Sequence, residues 1–401
     1  MPDHVWIIAG GLLQVPAVEV ARSLGLRAIV TDRNWEAPAM RLADRAYTVD
    51  IYDVGGHLLL ADELLARGVK IAGVFTEGAD VEVTVAAVAD RLRLPGIPVK
   101  AAENCKNKAR MRKCLEAARL NGLRWQECRT MKEAEAFARQ TGYPFMVKAV
   151  DNCASRGTRR VDDPHELETA FENACANSTT GSALLEELLE GDQQSVEIML
   201  DGDGHLYRLN IVDRPFDGVL ELGHVNPSRL PRENQMQLFA LTEEAAGAVG
   251  VEWGVFKADT IWTADGPRIL EVTARLSGGF DCQYTTPLAT GRNFIRAAMR
   301  LACAMPLDMS DLTRKHDRYA AAWTAFPPPG RVMAINGVEK VREKPGVAHV
   351  FLRVKVGDVI EPYEHCATRP AFVIAVGATY QEAMYHAQSG ARELAEGIQT
   401  E

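Results

Sequence analysis

The stretch from Lys257 to Arg275 constrains this chain more than any other. Thr260 to Trp262 and Arg268 to Val272 are β-favouring runs, and Ala264-Asp265-Gly266-Pro267 between them is turn chemistry, so the stretch predicts a hairpin. A loop centred on Asp265 pairs Trp262 with Arg268, Ile261 with Ile269 and Asp259 with Glu271. Two carboxylates then face each other with Cβ atoms roughly 5 Å apart, where like charges destabilise a sheet. Side chains alternate along a strand, so Lys257, Thr273 and Arg275 share that face. A divalent cation between the acids, with an anionic group against the cations, would resolve the conflict, and magnesium holding a nucleotide's phosphates has that chemistry. A solvated hairpin whose charges pair with one another fits the same residues.

The rest of the chain has the size and balance of a globular protein of two or three domains, with 401 residues, 47% of them hydrophobic and 25% charged. A net charge of -9 argues against nucleic acid as the main partner and for small molecules. Eight cysteines without a CxxC pair or metal-ligand spacing predict reduced thiols and a cytoplasmic setting. The apolar start from Val5 to Val18 has no basic leader and carries Gly10-Gly11, Gln14 and Pro16, unlike a signal peptide. No apolar run has the length of a membrane span.

Up to about residue 100, short apolar strands alternate with helices: strands at Val5 to Ala9, Arg27 to Thr31, Tyr47 to Asp50 and Ile71 to Phe75, helices at Val15 to Leu24, His57 to Arg67 and Ala79 to Leu92. That alternation predicts a parallel, doubly wound sheet whose ligands gather at the strand C-termini, here Gly10-Gly11, Asp32 and Thr76-Glu77. Gly10-Gly11 is not a GxGxxG fingerprint, and Asp32 reads as a strand-end residue closing a turn. Lys100 to Lys113 predicts one helix with a solvated cationic face. Pro144 to Val150 is a strand with Lys148 inside an apolar run, and a half-buried lysine needs an anionic partner. The loop from Asp151 to Arg160, including Ser155, is small-residue and basic: a phosphate cover, or an ordinary hairpin loop. Asp201-Gly202-Asp203-Gly204 is a turn rather than a calcium loop, since no glutamate stands twelve positions along. From about Met305 a third unit of strands and a last helix offers little chemistry; His365 and Cys366 read as loop residues, and Thr379 with Glu382 as a capping box.

A lysine-bearing strand, a small-residue loop, a Glu-Glu-Leu-Leu hinge and a hairpin with paired acids together resemble the ATP-grasp superfamily, in the carboxylate-amine ligase branch with biotin carboxylase, carbamoyl phosphate synthetase and the L-amino acid ligases. The resemblance implies an α/β architecture with an N-terminal doubly wound parallel sheet (1–104), a central two-sheet ATP-grasp module (105–305, lid about 115–190) and a C-terminal α+β domain (306–401). It implies ATP and Mg²⁺, or Mn²⁺, as cofactors. Lys108 and Lys148 match the lysines on the ATP phosphates; Glu186, Glu187 and Leu189 match the adenine hinge; Ser155 falls in the phosphate loop. Asp259 and Glu271 match the metal carboxylates, Lys257 and Arg275 the catalytic cations, and Ser277-Gly278-Gly279 a loop near the acyl group. Gln193 stands where a ribose-binding glutamate is usual, and Thr273 where an asparagine completes the metal site. Glu77, His224 and Arg275 are candidate substrate contacts.

The activity so implied is ATP-dependent joining of a carboxylate to an amine through an acyl phosphate, on amino-acid-like substrates, with release of ADP and phosphate. A homodimer with small-molecule carboxylate and amine partners, without nucleic acid or membrane, is expected. A bicarbonate-activating carboxylase of the biotin carboxylase type is the alternative within the family, and Arg275 does not separate the two. From another class, a nucleotide-binding protein without turnover accommodates Gln193 and Thr273. An NAD-dependent oxidoreductase would rest on the N-terminal sheet alone.

Overall fold

Four parallel strands, β1 (His4–Ile8), β2 (Arg27–Asp32), β3 (Arg45–Thr48) and β4 (Ile71–Phe75), build the first sheet in the order β3-β2-β1-β4 of a computed structural model that describes residues 3–120 and 122–401. Every residue of β1 is buried. Val5 and Ile7 pack with Ala17, Val18 and Ala21 of the helix Val15–Ser23, while Trp6 and Ile8 pack with Leu60, Leu64 and Val88 on the other face. An apolar run rather than an alternating one is what a two-faced parallel sheet requires. Asp32 closes the turn at the sheet's C-terminal edge, accepting from the amides of Gly10 (2.8 Å) and Asn34 (2.8 Å).

The cationic segment that follows is two helices, Val99–Lys106 and Lys108–Ala117, not one from Lys100 to Lys113. Asn107 between them is extended, and its side chain accepts from the Arg110 amide, capping the second helix. The break turns Lys108 and Arg112, four apart on one helix face, inward to 6% and 1% exposure, while Arg110 and Lys113 stay outside. Asn107→Ala is expected to cost about 1 kcal/mol of unfolding free energy. Urea unfolding checks it, and an unchanged midpoint would mean that the Lys108 amide bond to the Val150 carbonyl (2.7 Å) sets the break alone.

Two antiparallel sheets follow. The smaller contains β5 (Trp125–Cys128), β6 (Phe145–Ala149), β7 (Arg159–Val161) and β8 (Ala183–Glu187) in the order β5-β8-β6-β7. In β6 the alternation is strict: Phe145, Val147 and Ala149 are buried, with Phe145 and Val147 packed on Phe137 and Phe171 of the covering helices, and Met146 and Lys148 face the other way.

The larger sheet draws on β9 (Asp192–Asp201), β10 (Leu206–Arg214), β13 (Gly223–Asn226), β14 (Trp253–Thr263), β15 (Gly266–Thr273), β16 (Tyr319–Ala325), β18 (Val347–Leu352) and β20 (Ala371–Gly377), in the order β15-β14-β9-β10-β13-β16-β20-β18. Strands from both sides of residue 305 therefore share one sheet. The short pair β11 (Phe216–Asp217) and β12 (Leu220–Glu221) lies between β10 and β13 in sequence, and β17 (Gly330–Ile335), β19 (Val359–Ile360) and β21 (Ile398–Thr400) form a separate three-stranded sheet.

The hairpin β14–β15 pairs Asp259 with Glu271 as expected, but its tip is one step out of the expected register: Ile261 opposes Arg268, Trp262 opposes Pro267 and Thr263 opposes Gly266. The turn is the two residues Ala264-Asp265, and a bulge leaving Leu270 unpaired restores the register at the acids. Arg112 donates to the carbonyls of Ile269 (2.8 Å) and Leu270 (3.0 Å). A bulge fixed by a residue 157 positions from Ile269 and 158 from Leu270 leaves no local signal. At the last helix (Tyr380–Gly397), Thr379 accepts from the Glu382 amide, but the Glu382 carboxylate bonds the Ala378 amide, so half of the expected box forms. The cysteines are unpaired, and among the described residues no helix is long and apolar enough to cross a membrane.

Candidate active site

A cavity of about 940 Å³ is lined by both antiparallel sheets and by the C-terminal edge of the parallel one. That is at the upper end of the range for ligand sites.

At one end lies the hinge from Glu186 to Gly191. Gly191 (φ +151°) passes so close to the Trp262 carbonyl that a Cβ would sit 2.0 Å from its oxygen, so glycine is required where the chain crosses between the sheets. The Glu187 amide donates to the Arg124 carbonyl (3.0 Å), so a base meeting the Glu187 backbone would use its carbonyl. Glu186 contributes a side chain the hinge reading did not foresee. Its carboxylate, 2% exposed, accepts from Arg112 Nε (2.5 Å) and Lys148 Nζ (2.5 Å). Burial alone would raise this carboxyl, but Arg112 and then Lys148 outweigh it and hold it at about 2. Lys148 thus has the anionic partner its place in an apolar strand demanded.

Lys108 donates to the Asn152 carbonyl (2.6 Å) and pairs with Glu271 (2.8 Å). Asp259 accepts from Lys257 Nζ (2.6 Å) and lies 2.6 Å from Arg214 Nη1. Its carboxyl is lowered because Arg214 and Lys257 overcome its burial. The expected repulsion between the two acids is therefore answered by cations from β10, β14 and the helix Lys108–Ala117. Thr273, opposite Lys257, is 6% exposed and its hydroxyl has no hydrogen-bond partner. Among the described residues no group of three or more His, Cys, Asp and Glu stands ready for a metal. Two carboxylates and an unsatisfied hydroxyl in register do fit magnesium that arrives with phosphate oxygens, since that ion takes one or two carboxylates and fills its remaining positions from phosphates and water.

The loop with Ser155 and Arg156 lines the cavity and is tied to its far wall: Ser155 Oγ donates to the Val219 carbonyl (2.9 Å), and the Ala154 carbonyl accepts from the Cys366 amide (3.0 Å). Cys366 is 6% exposed and lines the cavity, so it is not the simple loop residue expected, and Arg353 and Arg369 from the same unit line it too. Gln193 also lines the cavity.

At the other end, Arg275 Nη2 and Nε donate to Asp80 (2.5 and 3.1 Å). His224 Nε2 is 2.9 Å from Thr285 Oγ1, and burial lowers its pKa. Ser277 donates through its amide to Glu197 (2.7 Å) and through its hydroxyl to Asp281 (2.9 Å). Gly278 passes close to Gly78, with an added Cβ 3.1 Å from the Gly78 Cα. Arg275, His224, Ser277, Gly278 and Gly279 all line the cavity; Glu77 does not. Glu77 is fully buried, neither of its carboxylate oxygens has a partner, and burial raises it well above the usual carboxylate range. The acids that do reach the cavity beyond this strand end are Asp80 and Glu82.

Sequence reasoning missed Arg112, Arg214 and Asp80. Arg112 had a signal, its i+4 spacing from Lys108; the other two had none before the strands were paired.

A cleft between two antiparallel sheets, closed on one side by a doubly wound sheet and carrying lysines, a hinge and a paired-acid hairpin, defines the ATP-grasp class. The chain carries an ATP-grasp domain: residues 141–283 match that domain's family model, and residues 323–395 match the L-amino acid ligase C-terminal domain 2. The fold is similar to that of an L-amino acid ligase from Bacillus licheniformis, with a TM-score of 0.83 and 24% identity over 100% of this chain and 99% of that one. Uncharacterized protein y4rH of Sinorhizobium fredii is 26% identical over 325 residues, 80% of this chain and 66% of that protein. Carnosine synthase 1 of Gallus gallus is 26% identical over 333 residues, 76% of this chain and 35% of that protein. The chain thus spans about two thirds and about one third of these two relatives.

Proposed function

We propose that the protein is an ATP-dependent carboxylate-amine ligase that forms an amide or peptide bond on an amino-acid-like substrate. The observation that carries this reading is the continuity of one cavity from the hinge, past Lys108, Lys148 and the Asp259/Glu271 face, to Arg275 and the Ser277-Gly278-Gly279 loop. A nucleotide with its base at the hinge would have its phosphates beside the cations and the acids, and its γ-phosphate toward the end that holds Arg275.

In the proposed reaction a substrate carboxylate oxygen attacks the γ-phosphorus, the bond to the bridging oxygen breaks, and ADP leaves with the electron pair. The amine nitrogen then attacks the acyl carbon, the carbon–oxygen bond to phosphate breaks, and the nitrogen gives up its proton. Charge builds on the phosphoryl oxygens, and in this reading Lys148, Lys257 and Arg275 would meet it. Asp259, Glu271 and Thr273 would hold magnesium delivered with ATP, which supplies further neutralisation of phosphate charge. Each of the three cations has a carboxylate partner, Glu186, Asp259 and Asp80 respectively, so substrate binding exchanges one anion for another rather than burying bare charge.

The match of residues 323–395 to an L-amino acid ligase domain favours amino-acid substrates over bicarbonate. Incubating the purified protein with ATP, magnesium and a panel of amino acids, with hydroxylamine as the amine, is expected to yield ADP, phosphate and an amino-acid hydroxamate. AMP and pyrophosphate would indicate an acyl adenylate instead. ADP formed only with bicarbonate would favour the carboxylase, and nucleotide binding without any turnover would favour the non-catalytic alternative.

A further inference from the structure

The loop from Asp151 to Arg160 borders a second cavity besides the large one. Ser155 and Thr158 line both, and neighbouring side chains of β7 part between them: Arg160 lines the large cavity and Arg159 the small one. The small cavity has a volume of about 150 Å³, and its other walls are Asn173, on the helix Leu167–Ala176, and Glu364 and His365 of the C-terminal unit. That is room for about five waters, or for one molecule of as few heavy atoms.

The lining carries one full charge of each sign. Arg159 Nη2 and Glu364 Oε2 stand 3.8 Å apart, too far for a hydrogen bond, and both side chains reach solvent. His365 Nδ1, by contrast, is buried and has no partner among the described residues. A buried ring nitrogen left in that state points to a bound group or water that completes it. It donates to a carboxylate or accepts from an ammonium according to its tautomer. A lone anion here would face Glu364, and a lone cation would face Arg159. A small zwitterion meets each with the opposite charge.

The loop between the two cavities is held by its surroundings. Ala154 (φ +56°) and Ser155 (φ +60°) are consecutive non-glycine residues in left-handed backbone, which is costly for an L-residue. Two bonds to the far wall keep them there, from Ser155 Oγ to the Val219 carbonyl (2.9 Å) and from the Cys366 amide to the Ala154 carbonyl (3.0 Å). A ligand bridging Arg159 and Glu364 would add a third tie between this loop and the C-terminal unit.

We propose that the small cavity binds a free α-amino acid of glycine or alanine size, its carboxylate toward Arg159 and its ammonium toward Glu364, and that occupation holds the loop down over the nucleotide. The site is regulatory and separate from the substrate contacts of the large cavity. It requires a nucleotide beneath the loop, but not the ligase reaction.

The test uses the full-length protein with glycine as the probe, beside glycolate, which lacks the ammonium, and methylamine, which lacks the carboxylate. In calorimetry, saturating glycine is expected to tighten the binding of magnesium ADP about fivefold or more, and ADP should tighten glycine by the same factor. Glycolate and methylamine should each do far less. Glu364→Gln removes the ammonium's partner, and Asn173→Leu fills part of the cavity with an apolar side chain. Each should abolish the response to glycine while ADP alone binds as it does to the wild type. A glycine response that survives both variants would place the amino acid in the large cavity and overturn the proposal. So would a wild-type ADP affinity indifferent to glycine, which would leave the small cavity to water, or an equal response to glycolate, which would make it an anion site. ADP binding needs no turnover, so the two readings fail separately: the ligase reading by the absence of hydroxamate, this one by the behaviour of glycine.

Discussion

Glu271→Gln is expected to lower ADP formation by about 10²-fold or more while leaving the protein folded. Glu271 is the better of the two acids to replace. Its side chain is 40% exposed and its partner Lys108 keeps the Asn152 carbonyl as an acceptor, so little is stranded when the charge goes. Asp259→Asn should cost turnover similarly, but it also removes the carboxylate shared by the buried Lys257 and Arg214, so it should lower stability too. Although like charges facing each other destabilise a sheet, each acid here is held by cations, so removing one relieves no strain. Two measurements check the metal reading. Turnover across a magnesium titration should not recover in Glu271→Gln, and the gain in ADP affinity that magnesium confers on the wild type, read by calorimetry, should shrink in the variant. Near-normal activity and an unchanged magnesium effect on ADP binding would remove Glu271 from the metal face.

Glu186→Gln is expected to destabilise the fold by about 3–5 kcal/mol at neutral pH, because it leaves Arg112 buried without its counter-charge. Arg112 ties three pieces together: its own helix, the hinge strand through Glu186, and the bulge of β15 through two carbonyls. The pH dependence has a definite sign. The folded carboxyl, at about 2, lies below its ordinary 4.5, so the contribution is fully present above about pH 5 and is lost as pH falls toward 2. Urea unfolding of wild type and variant should therefore differ by a nearly constant amount from pH 5 to 8, with the gap narrowing progressively as pH falls from about 5 toward 2. A double change, Arg112→Met with Glu186→Leu, should cost less than the two single changes added together. Additive losses, or a gap that widens in acid, would show that the pair is not the stabilising unit.

Much of the fold was legible because it follows from short-range periodicity. The strands of the parallel sheet read as unbroken apolar runs, and they are buried on both faces. Lys148 stood out because a charge inside such a run needs a partner, and the partner exists. The hairpin's two acids were correctly opposed although the register at its tip was not, since the bulge at Leu270 cancels the one-residue error before the acids are reached.

What the sequence alone determined about this protein is which residue types stand at strand ends, in turns and at two- and four-residue spacings, because those patterns come from backbone geometry that each segment has by itself. That was enough for the doubly wound sheet, the hinge with its glycine, the paired acids and the resemblance that joined them. Only the tertiary structure decided where each charge finds its opposite. Asp80 meets Arg275 across 195 residues, Arg112 meets Glu186 across 74, and Arg369 meets Glu221 across 148. It also decided that Glu77 is sealed beneath the cavity while Asp80 reaches it, and that a C-terminal unit thought to carry little chemistry supplies two arginines to the wall. The physical reason is that ion pairing and desolvation depend on distance in space and on the solvent left around each group, and neither is a property of a position in the chain.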